Sequence, residues 1–129
     1  MDVPPQRVHT TLPSARASAR DARRFVSETL RAWHVPDDPV DTACLLATEL
    51  VTNAVLHAGS DVELLLEGSA DTVRIEVVDS SAEVPEPRAV SSLLGTTGRG
   101  LNLVKGLSTT WGVTPHNQGK SVWFELSTR

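Results

Sequence analysis

Apolar residues recur at helical spacing through Ala15, Ala19, Ala22, Val26, Leu30 and Trp33. That rhythm predicts an amphipathic helix whose other face is arginine-rich and solvated. Ser14 stands where an N-cap belongs, and His34 to Pro36 breaks the run. A second helix is expected from Asp38, a capping side chain, with Pro39 in the first helical position and Asp41 near the positive end of the dipole. It runs to about Ala58 and stops at Gly59, an ordinary C-terminal residue for a helix. Ahead of both helices, Pro4 and Pro5 keep the chain extended, and Arg7 to Leu12 reads as a short edge strand.

Beyond Gly59 the period shortens to two. Val62 to Glu67 is one expected strand; Thr72 to Asp79 is another, with Val73, Ile75 and Val77 alternating against Arg74 and Glu76. Ser80 to Arg99 follows no pattern and holds Pro85, Pro87 and the tail Gly95-Thr96-Thr97-Gly98; stretches this long without elements are usually functional or disordered. A short helix is expected from about Gly100, carrying Leu101, Leu103, Val104 and Leu107. Two closing strands, near Ser108–Thr114 and Lys120–Ser127, are joined by a turn at His116 to Gly119. In the last strand Val122, Phe124 and Leu126 share one face, with Trp123 and Glu125 on the other. Tight turns require antiparallel neighbours, and all the helices can cover one face. The expected class is α+β: a two-layer α/β sandwich with a mixed, mostly antiparallel sheet and helices on one side.

Composition narrows the function classes. A chain of 129 residues, 40% of them hydrophobic, suits one domain spanning 1–129, with its core at about 10–127. The formal net charge of −4 argues against direct nucleic-acid binding, which depends on neutralising phosphates. The single cysteine, Cys44, sits among apolar neighbours and reads as core. Met1 to Arg24 contains no apolar run of signal-peptide type, and no stretch of about 18 apolar residues suggests a membrane span. A cytoplasmic location is the expectation.

Three constellations are candidates for chemistry. Glu49, Asn53 and His57 step by four along the second helix and form one stripe, bordered by Leu46 and Leu50 on one side and Leu45 and Leu56 on the other. A carboxylate and an amide among leucines need partners; a nucleotide with its metal would supply them, and so would an adjacent loop. Asp79 ends an alternating strand and is followed by Ser80 and Ser81, which suits either a hydrogen-bond acceptor for an exocyclic amine or an ordinary turn. Gly98-Arg99-Gly100-Leu101 leads from the long irregular stretch into a helix, where backbone N–H groups can approach a phosphate. Gly119-Lys120-Ser121 looks like the tail of a P-loop, but the leading glycine would fall at Thr114 and a strand follows instead of a helix.

Taken together and in this order, Glu-Leu-Val-Thr-Asn-Ala at 49–54 with His57, then Asp79, then Gly-Arg-Gly-Leu at 98–101 resemble the ATP-binding domain shared by gyrase, histidine kinases and MutL. The likeness covers roughly residues 10 to 127 and is greatest to the short, free-standing anti-sigma-factor serine/threonine kinases. It implies the Bergerat ATP-binding fold, with ATP and Mg²⁺ as cofactors. It also implies roles by position. Glu49 would be the general base; Asn53 would hold Mg²⁺ through its side-chain oxygen; His57 would lie near the phosphates; Asp79 would bind the adenine amine. Gly98, Arg99, Gly100 and Leu101 would frame the phosphates, and Ser121 falls where a threonine usually supports the adenine-binding Asp. The usual Asp-x-Gly-x-Gly is absent, since Ser80, Ser81, Ala82 and Glu83 follow Asp79; the free-standing branch often lacks those glycines.

The function implied is that of an ATP-binding regulator: a serine/threonine protein kinase acting as an anti-sigma factor. It would phosphorylate an anti-anti-sigma antagonist of the STAS type, with a sigma factor as a second partner and a homodimer as a possible assembly. The alternative is a non-catalytic module that senses ATP and grips a partner in one ligand state.

Overall fold

In a computed structural model that describes residues 6–58, 60–80, 106–116 and 119–128, the alternating segments become β1 (Gln6–Leu12), β2 (Val62–Gly68), β3 (Thr72–Asp79), β4 (Thr110–His116) and β5 (Gly119–Ser127). The two amphipathic runs become α1 (Ala17–Ala32) and α2 (Asp37–Ala58); His57 and Ala58 are placed by their backbone alone. The strands form one sheet of order β1-β2-β3-β5-β4. All of these pairings are antiparallel, so the expected mixed sheet is antiparallel throughout its described strands. The reason is topological: β4 runs in the direction of β3, but β5 lies between them and separates the two parallel strands.

Register then sorts side chains onto two faces. Facing pairs Val77–Val122, Ile75–Phe124 and Val73–Leu126 lie on the helix side, with Leu64 and Leu66 of β2 beside them. All of these are buried, and Phe124 is the largest fully buried side chain among the described residues. α2 adds Val40, Ala43, Leu46, Ala47, Leu50 and Val51, and α1 adds Ala22, Val26 and Leu30. Alanines along α2 leave room for α1 to pack closely against it. The opposite face carries Glu63, Glu67, Arg74, Glu76 and Glu125, with the Arg74 guanidinium 4.1 Å from the centre of the Trp123 ring.

The helix ends differ from the sequence reading. α1 is capped by Arg16 without a side-chain bond, and not by Ser14. The anchoring bond comes instead from Ser18, fully buried, whose hydroxyl donates to the Pro13 carbonyl and fixes the exit from β1. At the other end His34 adopts φ 62°. The Val35 N–H reaches the Leu30 carbonyl and the His34 N–H the Arg31 carbonyl, each at 3.0 Å, which is the Schellman pattern. α2 begins at Asp37, two residues before the expected first helical position at Pro39. Its first described backbone bond runs from the Val40 N–H to the Pro36 carbonyl, so Pro39 sits where a helix N–H has no partner and costs nothing by lacking one.

No described helix is long and apolar enough to cross a membrane. Gly106 and Leu107 are helical; the rest of the expected short helix lies outside the described residues.

Candidate functional site

The chain brings the C-terminal half of α2, the end of β3 and the start of β5 to one end of the molecule. α2 finishes at Ala58 and β2 starts at Val62; Glu63 then pairs with Val78, and Asp79 with Lys120. α2 packs across β3 and β5 on the buried face. Asn53 and Asp79 therefore belong to the same end of one interlayer space.

Asn53 is 6% exposed, and Glu49, one turn earlier, is half-buried. Leu46 and Leu50 flank them in the core, whereas Leu45 and Leu56 are 42% and 67% exposed. The stripe is thus a border and not a trench between leucines: one side of it faces the sheet. Leu56 instead lines a surface groove of about 310 Å³ with Ala15, Ala19 and Val55. His57 continues the stripe along the backbone, but its side chain lies outside the described residues, as do Gly98, Arg99, Gly100 and Leu101.

Asp79 is 5% exposed and closes the helix-side row of β3. Its facing residue is Lys120, 4% exposed, whose ammonium lies 3.2 Å from Oδ1 and 3.0 Å from Oδ2. Buried carboxylates need such partners, because an isolated buried charge costs several kcal/mol. Gly119 makes the close approach possible. A Cβ there would stand 1.9 Å from the Asp79 carbonyl oxygen, so any side chain would push β5 away from β3.

Ser121 is where the structure corrects the expectation. Alternation places it on the face opposite Lys120 and Asp79, where it is fully buried and hydrogen-bonded to Nε2 of His116. The position beside the Asp79 carboxylate belongs to Lys120. Sequence reasoning set Lys120 aside as part of a false P-loop, yet extending the Val122–Phe124–Leu126 face back by two residues points straight to it. At the same end, Thr11, Asp61, Glu63, Asp79 and His116 line a further cavity of about 310 Å³.

A family model for the histidine kinase-like ATPase domain matches residues 12–126. The chain belongs to that family. A search of curated proteins finds no match. Within a histidine kinase-like ATPase domain the ligand is ATP, usually with Mg²⁺. The donor set at this end suits such a ligand. Asn53 offers an amide oxygen, Glu49 a carboxylate, and among the described residues no cluster of three or more His, Cys, Asp or Glu forms a protein cage. Mg²⁺ is typically held by one or two protein oxygens together with nucleotide phosphates.

Proposed function

We propose that the protein is an ATP-dependent serine/threonine kinase that acts as an anti-sigma factor, with a small anti-anti-sigma antagonist of the STAS type as its substrate. The observation that carries this reading is the Glu49–Asn53 pair: a half-buried carboxylate one helical turn before a buried amide, on the helix that packs across β3 and β5 of an ATP-binding domain. Pure ATP binding has no need of a base at that position.

In this reading Asn53 holds the Mg²⁺, which supplies charge neutralisation on the phosphates. Asp79 accepts the base amine and so sets where the γ-phosphate falls relative to α2. Glu49 takes the proton from the attacking serine hydroxyl as its oxygen bonds to the γ-phosphorus and the bond to the ADP oxygen breaks. Such transfers depend mainly on positioning and charge stabilisation, and a positioned base adds roughly 10²–10⁴-fold. Arg99 and the glycines at 98 and 100 are proposed to frame the phosphates.

The test is transfer of label from γ-labelled ATP, with Mg²⁺, to a panel of purified STAS-type antagonists. Transfer by the wild-type protein that is lost in Glu49→Ala, while ATP binding persists, supports the kinase. ATP-dependent capture of a partner with no transfer to any antagonist points instead to a nucleotide-sensing module.

A further inference from the structure

The last row of the buried face is chemically unlike the others. Moving along β3 and β5 the facing pairs are Val73–Leu126, Ile75–Phe124 and Val77–Val122, and then Asp79–Lys120. An apolar pair would continue that core at no electrostatic cost, and a buried ion pair is weak evidence of stabilisation. The exception stands only in the row closest to the ATP end. We infer that Lys120 is a specificity-determining residue that reads the nucleotide base beside Asp79. The inference rests on Asp79 being the acceptor for the base amine.

The chemistry follows from the donor inventory. An ammonium has three N–H donors and no acceptor. Contacts at 3.2 and 3.0 Å to the two Asp79 oxygens use at most two of them. The pair therefore presents a carboxylate acceptor and a fixed, non-switchable donor side by side. Adenine matches that edge: its amine donates to Asp79, and the adjacent ring nitrogen N1 accepts from Lys120. Guanine in the same orientation sets a carbonyl against the carboxylate and an N–H against the ammonium, so both contacts become repulsive. A hydroxyl at position 120 could turn to donate or accept; the ammonium cannot. Lys120 thus converts a site that merely accepts an amine into one that also demands a neighbouring acceptor, and it neutralises the carboxylate that would otherwise repel an electron-rich base.

Calorimetric titration of the wild-type protein with Mg²⁺ and each of ATP, 1-deaza-ATP (N1 replaced by C–H), purine riboside triphosphate (no amine) and GTP tests this without altering the fold. ATP should bind roughly ten- to a hundredfold more tightly than 1-deaza-ATP, the value of one hydrogen bond to a charged donor, with GTP weaker still. In Lys120→Met, ATP and 1-deaza-ATP should bind alike. Circular dichroism establishes that this variant is folded; should it not be, the Asp79→Asn/Lys120→Met variant takes its place. Equal wild-type affinity for ATP and 1-deaza-ATP, or for ATP and GTP, overturns the inference. Loss of affinity for the amine-free nucleotide alone would overturn it while leaving Asp79 as base acceptor. A wild-type protein that binds none of the four removes the ATP reading, and this inference falls with it.

Discussion

Lys120→Met leaves a carboxylate buried against an apolar side chain; Asp79→Leu leaves an ammonium in the same position. Both side chains are nearly sealed, at 6% and 4% exposure, so solvent screening cannot rescue the remaining charge. Removing one member of such a pair costs about 3–5 kcal/mol, against a total stability of roughly 5–15 kcal/mol for a domain. For a chain of this length that corresponds to a fall in Tm of roughly 11–18 °C. The double variant Asp79→Leu/Lys120→Met replaces the pair by a fourth apolar row and should return to within about 1–2 kcal/mol of wild type, or exceed it. Urea unfolding followed by circular dichroism on all four proteins yields the coupling energy directly. Single variants costing less than about 1 kcal/mol each, with additive effects, would mean that the ion pair behaves as a solvated surface contact, and the argument from burial would fail.

Other consequences are as direct. His34→Gly should stabilise the protein by about 1 kcal/mol, read as a higher urea midpoint at unchanged slope, because a left-handed residue with a Cβ is strained at that cap. Gly119→Ala should cost about 1–3 kcal/mol or more in the same assay, since its Cβ meets the Asp79 carbonyl. Burial raises the Cys44 thiol above its ordinary range, outweighing the neighbouring Arg23. Its contribution to stability is thus full below the unfolded value and is lost as pH rises through the folded one; Cys44→Ala should flatten that alkaline decline in Tm. The same burial predicts thiol labelling that is slow in native buffer and becomes fast in urea.

Much of this arrangement was legible because the signals were periodic. Val73, Ile75 and Val77, and Val122, Phe124 and Leu126, announced two strands sharing a core, and the spacing of Glu49 and Asn53 announced a stripe on α2. What escaped was what periodicity does not encode. The start of α1 falls at Arg16 with no side-chain cap, and the buried Ser18 hydroxyl bonds back to the Pro13 carbonyl, a contact that the local preference for Ser14 does not announce. The strand β4 runs through Pro115 to His116 because an outermost strand tolerates a missing donor. Lys120 was hidden by its identity: a lysine in a strand suggests solvent, and only the register with Asp79 brings it inward. Ser121 was placed by its match to a family position, and in a strand a shift of one residue is a change of face.

The sheet order has a bearing on how copies of this chain meet when concentrated. Its two margins are β1 and β4, the places where backbone amides are open to another extended peptide. Along β4 the hydrogen-bonding ribbon is interrupted at Pro115. Along β1, Arg7 is held towards Glu67 and His9 towards Glu63, so both margins carry residues that discourage an unplanned neighbour from zipping on and growing into a fibre.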